Sequence, residues 1–235
     1  TWMFHPDAAL PAFLLFSFYF LKKRDWPKYF VFLILTLMTK EIIALVTVPL
    51  GIYGFVFNRQ NFGSLKKRKF FDRDIVCPLF TIVFSVFWVV MAIAIMSYYV
   101  SITPWAVAGE LPPHHVAPWE HLGNGASSIL RTILLNPGYT LSVLATNIVQ
   151  VNPLDGLPNY IYLLRFLAPL AFTPLLSLST LFIPVAYMAF LLISNEPHFW
   201  RMGIHYATPV VPFVFVSAIY GVKRLRAIRL RIKFK

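Results

Sequence analysis

YFVFLILTLMTKEIIALVTVPLGIYGFVF, residues 29–57, is the stretch that decides the fold. It is apolar throughout except for two adjacent ionisable residues at its middle, Lys40 and Glu41. A membrane-spanning helix needs about 20 consecutive apolar residues, so the stretch first reads as one long span. Basic residues flank it on both sides. Lys22, Lys23, Arg24 and Lys28 precede it; Arg59, Lys66, Lys67, Arg68, Lys69 and Arg73 follow. A single span would put these blocks on opposite sides of the membrane, against the tendency of basic loops to stay inside. A break at Thr39-Lys40-Glu41 restores it, with the chain going out through 29–39 and back through 42–57. Even begun at Pro27, the outward arm has 13 residues. That is about 20 Å of helix against a hydrocarbon core of about 30 Å. Lys40 and Glu41 are therefore expected below the outer headgroups, in a water-filled cavity or a protein-lined cleft.

The same reasoning extends along the chain. The apolar runs are 8–21, 29–39, 42–57, 75–100, 158–172, 175–193 and 204–222. A third basic block follows the last: Lys223, Arg224, Arg226, Arg229, Arg231, Lys233 and Lys235. The three blocks hold seventeen of the 21 basic residues. Placing all three in the cytoplasm gives seven crossings, a large extracytoplasmic segment at 101–157 and a basic tail at 223–235. The expectation is one transmembrane domain over 1–235, all-α, some of its helices short or broken. Within the outer segment, 126–150 reads as two amphipathic pieces along the membrane, interrupted at Asn136-Pro137-Gly138. The histidines provide a check that was not built in. His5, His114, His115, His121, His198 and His205 all fall on the outer side or just beneath it.

Composition agrees with this class. The chain is 58% hydrophobic, 17% aromatic and only 13% charged, where soluble domains carry roughly 25% charged residues. The net charge of +12 sits in blocks beside apolar runs rather than on a binding face, which argues against nucleic acid. The single cysteine, Cys77, excludes an intrachain disulfide and reads as a packed small residue. Thr1-Trp2-Met3-Phe4 carries no basic n-region or cleavage site. It reads as a start inside an element, as in a piece of a longer protein.

Each candidate residue has a structural and a functional reading. Asp7 follows His5-Pro6 at the outer start of the first run, where an acid and a proline suit a first helical turn. Functionally, Asp7 is a base or metal ligand at a cavity mouth, with His5 beside it. Lys40 and Glu41 point about 100° apart on a helix, so each needs another partner. They either link helices, or Lys40 binds an anion while Glu41 acts as a base. Buried charge is costly without compensation, which favours the second reading. His205-Tyr206, with Arg201 four residues earlier, suits a phosphate; the plain alternative is an interfacial tyrosine beside a solvated histidine. Arg165 is expected to point inward, as a counter-ion for Glu41 or a phosphate clamp, and Arg131 to meet headgroups. His114, His115 and His121 match no zinc spacing, so no metal site is assigned. Glu120 and His121 remain candidates to face the cavity. No phosphate-binding glycine loop or serine-nucleophile motif is present.

Phe4-His5-Pro6-Asp7-Ala8, Thr39-Lys40-Glu41, and His205-Tyr206 before Pro209-Val210-Val211-Pro212-Phe213 together resemble a family of prokaryotic membrane proteins of unknown function. That family is similar to the GT-C membrane glycosyltransferases, with this chain corresponding to their middle and C-terminal portions. The resemblance implies broken helices, membrane-parallel outer helices, and sugar transfer from a polyprenyl-phosphate carrier at the extracytoplasmic face of the prokaryotic cytoplasmic membrane. It also implies that the family's catalytic acid lies in an outer loop preceding this chain. The candidates are then Asp7 and Glu41 for catalysis, with His5, Lys40, Arg165, Arg201, His205 and Tyr206 for substrate or phosphate. A divalent cation is the one cofactor left open. Implied partners are membrane lipids, a polyprenyl-phosphate-linked sugar and other membrane subunits. Two alternatives stand beside this: a non-catalytic subunit on the same scaffold, and a transporter or flippase.

Overall fold

The computed structural model describes residues 6–57, 72–102, 117–201 and 205–233. It is all-helical: 81% helix with no strand among the described residues. The helices are α1 Leu10–Lys23, α2 Trp26–Leu37, α3 Ala44–Phe57, α4 Arg73–Ile102, α5 Ala126–Leu135, α6 Pro137–Val149, α7 Tyr160–Leu167, α8 Leu178–Leu181, α9 Val185–Leu192 and α10 Val211–Lys233. The chain divides into two compact units. The first holds residues 1–90, 166–187 and 205–235; the second holds 91–165 and 188–204.

The first unit is built from α1 outward. Arg24 takes a left-handed conformation (φ 59°) and ends α1, and Asp25 starts α2 by accepting from the Lys28 amide. The two helices therefore fold back on each other. Phe32 of α2 stacks on Phe16 at 4.8 Å and Phe20 at 5.5 Å. The long apolar stretch then breaks as the charge argument requires. Helix α2 stops at Leu37, Lys40 is extended (φ −162°, ψ 141°), and a 3₁₀ turn at Glu41–Ile43 leads into α3. Helix α2 has 12 residues, about 18 Å, too short to cross a membrane alone.

Both ends of the α2–α3 excursion lie together. Lys22 Nζ donates to Tyr53 Oη near the end of α3 at 3.4 Å, and Arg24 pairs with Asp74 at the start of α4. Lys22 and Arg24 before α2 thus share one end of this unit with the end of α3 and the start of α4. Helix α10 runs alongside, with Phe213 edge-on to Phe18 at 6.1 Å. Its far end carries Lys223 and Arg224, and Arg224 donates to the Leu176 carbonyl.

Helix α4 is turned inside out relative to a soluble helix. Val76, Leu79, Phe80, Val83, Val86, Phe87 and Val90 form an exposed stripe at helical spacing. Its buried face carries hydroxyls: Thr81 meets Tyr29 at 3.0 Å and Thr47 donates to Ser85 at 2.8 Å. Apolar surface outward with hydroxyls joining helices inside is the arrangement a lipid solvent selects. Among the described helices, Arg73–Tyr99 of α4 alone is long and apolar enough to cross a membrane. Seven crossings were expected; helix length supports a span at this helix only.

Two expected runs are corrected. Residues 158–172 and 175–193 are not continuous helices. Helix α7 gives way to a 3₁₀ turn at Ala168–Leu170, then left-handed Ala171 and Phe172, a 3₁₀ turn at Thr173–Leu176, and the short α8 and α9. Pro169, Pro174 and Pro184 account for the breaks, since each removes a donor and clashes with the preceding turn. The last run is also shifted: α10 begins only at Val211, after Pro209, and continues as helix through the basic tail to Lys233. The interruption at Asn136-Pro137 does separate α5 from α6 as expected.

Close packing in the first unit depends on glycine. A Cβ on Gly221 of α10 would lie 2.1 Å from the Thr173 carbonyl oxygen. Gly221→Val is expected to cost about 1–3 kcal/mol through overpacking, read as a lower thermal midpoint in detergent. Gly138→Ala, where nothing lies within 4 Å, should leave the midpoint in place. Equal midpoints for the two variants would contradict this packing.

Candidate functional site

The polar cluster of the first unit is assembled from three interruptions in helix. Asp7 sits in a 3₁₀ turn, Pro6–Ala8, just ahead of α1. Lys40 sits in the break between α2 and α3. Thr39 terminates α2 there by donating its hydroxyl to the Thr36 carbonyl at 2.7 Å. His205 opens a 3₁₀ turn, His205–Ala207, ahead of α10, held by the Thr208 hydroxyl on the His205 carbonyl at 2.6 Å. A short polar residue ends or starts a helix where its side chain can replace a lost backbone bond.

The three side chains converge on one atom. Asp7 Oδ2 is 3.4 Å from Lys40 Nζ and 3.5 Å from His205 Nε2. The side chains are 8%, 19% and 26% exposed for Asp7, Lys40 and His205. The carboxylate is thus enclosed, while its two partners keep an edge to the outside. Tyr206 adds a face: the Lys40 ammonium lies 4.5 Å above its ring, a cation–π contact. Tyr187 holds this tyrosine's backbone by donating its hydroxyl to the Tyr206 carbonyl at 3.2 Å. Asp7 and Lys40 lie at the ends of α1 and α2 away from Lys22, Arg24 and Lys28, and His205 lies at the end of α10 away from Lys223.

Chemically, the enclosed carboxylate is a proton acceptor beside a lysine ammonium and an imidazole. An incoming anion can compete with it for Lys40 and His205.

Glu41 is half-buried and makes no hydrogen bond or ion pair among the described residues. Arg165 belongs to the second unit, and its partner is Asp155 at 3.6 Å rather than Glu41. Arg165 follows the turn formed by residues 152–159, and Asp155 is the acid that turn presents. Arg201 is exposed and also belongs to the second unit. His198 there is engaged by Glu196. Burial lowers the pKa of His121, and its ring nitrogens are shut away from solvent, so it stays neutral at physiological pH. His5, His114 and His115 lie outside the described residues. Among the described residues no group of three or more metal-ligating side chains forms. Tyr187 was not foreseen, because a tyrosine in an apolar run carries no signal of what its hydroxyl will meet.

The ion pair makes a direct prediction. Lys40→Met leaves a buried carboxylate with a single partner, whereas Asp7→Asn/Lys40→Met removes both charges. The double variant should be more stable than the sum of the single effects, with a coupling of about 1–3 kcal/mol. Denaturant unfolding of the four proteins in mixed micelles measures this; strict additivity would mean that the two groups do not interact.

A family model described as "Predicted membrane protein (DUF2079)" matches residues 2–235. No curated protein and no solved structure matches the chain.

Proposed function

From the premise that the chain belongs to the DUF2079 family of predicted membrane proteins, we propose that it is a GT-C-like glycosyltransferase of the prokaryotic cytoplasmic membrane. It would use a polyprenyl-phosphate-linked sugar at the extracytoplasmic face. The observation that carries the reading is the convergence of Asp7, Lys40 and His205 on one enclosed carboxylate oxygen. These residues belong to the motif set that resembles a prokaryotic membrane-protein family, itself similar to the GT-C enzymes. Supporting it, the basic residues gather at the far end of the same unit, and α4 presents apolar side chains outward.

In this mechanism the lipid phosphate binds to Lys40 and His205, with Tyr206 as a platform for the ammonium. Asp7 takes the proton of the acceptor hydroxyl. The freed oxygen forms a bond to the anomeric carbon as the bond from that carbon to the phosphate oxygen breaks. The electron pair leaves on the lipid phosphate, where the two cations stabilise the charge. Glu41 keeps a role as an alternative base or substrate-orienting group. Arg165 and Arg201 serve in the second unit as contacts for the phosphates of lipid headgroups. One observation favours the competing reading, a non-catalytic subunit of a larger complex: Asp7 already pairs with both Lys40 and His205 without a ligand.

Membranes containing the full chain, given donor labelled in the sugar, distinguish the two. Transfer should exceed that of vector membranes, and Asp7→Asn should reduce it about 10²–10⁴-fold, the range for loss of a general base. No transfer from any polyprenyl-phosphate sugar would leave the scaffold reading in its place; full transfer by Asp7→Asn would keep the transferase and remove Asp7 as its base. Topology has a separate check. On a Cys77→Ala background, cysteines at Lys28 and Arg226 should react with an impermeant maleimide only after the inner face is opened. Cysteines at Asp155 and His198 should react from outside. Labelling of Lys28 and Arg226 positions from opposite faces would break the proposed arrangement.

A further inference from the structure

Helix α10 carries an apolar face that its own unit leaves partly uncovered. Phe215, Ala218, Ile219, Val222 and Arg226 recur at spacings of three and four residues, so they share one side of the helix. The irregular segment 168–176 lies against that helix. Gly221 permits the approach, since a Cβ there would lie 2.1 Å from the Thr173 carbonyl oxygen. Along this seam a groove of about 630 Å³ opens, with Leu170 and Thr173 on one side and the Phe215-to-Arg226 face of α10 on the other. Ligand clefts commonly measure about 300–1,000 Å³.

The groove can be reached from outside. Phe215, Ile219 and Val222 are 54%, 69% and 39% exposed, and Lys223 and Arg226 are exposed as well. Its wall is apolar from Phe215 to Val222 and ends in those two cations, one helical turn apart. No lining residue is acidic. Among the described residues neither cation has a hydrogen bond or ion pair. Arg224, between them in sequence, is instead committed to the Leu176 carbonyl. From Phe215 to Arg226 the helix rises about 16 Å, roughly half of a hydrocarbon core of about 30 Å. Asp7 meets His205 at 3.5 Å and Phe18 meets Phe213 at 6.1 Å, so α1 and α10 run the same way. The two cations therefore lie toward the end that holds Lys22 and Arg24, away from the Asp7 cluster.

This layout selects one class of ligand. A small soluble anion would pair with Lys223 and Arg226 but leave the apolar wall uncovered. A neutral lipid would cover the wall and leave the cations without a counter-charge. A zwitterionic lipid brings a cation of its own beside them. A lipid with an acyl chain about one leaflet long and a net negative headgroup satisfies both parts, since the ammonium and the guanidinium fork suit the oxygens of a phosphodiester. Basic pockets between membrane helices hold anionic headgroups by the same physics. We infer that this groove binds an anionic diacyl phospholipid, one chain along Phe215, Ile219 and Val222 and the phosphate between Lys223 and Arg226. The site lies at the opposite end of the unit from the proposed sugar chemistry and does not rest on the transferase reading. It holds whichever face of the membrane the basic end meets.

Native mass spectrometry of the full chain released from detergent micelles tests this by counting lipid adducts. The probes are phosphatidylglycerol and phosphatidylcholine with the same acyl chains, and neither reports on sugar transfer. Phosphatidylglycerol should bind about tenfold more tightly. Lys223→Gln/Arg226→Gln, at exposed positions, should remove that preference, the worth of two basic residues against an anionic headgroup. Lys23→Gln/Lys28→Gln removes the same charge from exposed positions outside the groove and should keep the preference. Ile219→Ser should weaken phosphatidylglycerol about threefold or more through lost apolar contact. Glycerol 3-phosphate at equal concentration should not displace the lipid. Equal binding of the two lipids, or equal losses in the two lysine-bearing double variants, would reduce the effect to diffuse surface charge and overturn the inference. Displacement by glycerol 3-phosphate, or unchanged binding in Ile219→Ser, would overturn it by making the apolar wall irrelevant.

Discussion

A lysine ammonium cannot be enclosed in an apolar unit without an opposite charge nearby. Lys40 meets that constraint through Asp7, 33 residues earlier. Much of the first unit follows from this pairing. For Lys40 to reach Asp7, the apolar run 29–57 must stop as a helix and restart, so α2 and α3 are separate pieces rather than one span. Because the chain turns at that point, the start of α2 and the end of α3 return to the same end, where Lys22, Tyr53, Arg24 and Asp74 meet. Polarity follows: acid, lysine and histidine at one end, basic residues at the other.

The interior of this unit solves a second constraint. Helices in a lipid solvent gain nothing from hiding apolar side chains from the tails, so they adhere through close backbone approach and hydroxyl bonds. Gly51 and Gly54 of α3, Gly221 of α10, and the Tyr29–Thr81 and Thr47–Ser85 pairs do that here. The large apolar residues of α4 are left to face outward. The second unit uses a different means, with asparagine side chains capping backbone carbonyls on a remote segment. Irregular backbone needs such partners because it has no helical bonds of its own.

The break at Thr39-Lys40-Glu41 was legible in the sequence from charge parity alone. Helix propensity would have run straight through it, since Thr36 to Ala44 contains neither glycine nor proline. The interruptions at Pro169, Pro174 and Pro184 were equally present in the sequence, but hydropathy outweighed them in the reading of 158–193 as two spans. The helices there are interrupted because apolarity reports where a segment prefers to be, not whether its backbone can stay helical. Arg165 was read as a counter-ion for Glu41 or a phosphate clamp. Depth in a presumed span suggested an inward partner, whereas the turn at 152–159 brings Asp155 to it.

The sequence by itself determined the membrane class of this protein and the expectation that its basic blocks share one side. Both are sums over many residues, so they survive errors in any one element. It also named Asp7, Lys40, His205 and Tyr206 one at a time, as polar residues out of place in apolar surroundings. Only the tertiary structure decided that these four meet and that Arg165 pairs with Asp155. Those outcomes depend on which distant segments close on one another. A contact over 33 residues, or over the 198 that separate Asp7 from His205, is set by the packing of the helices between them and leaves no local trace.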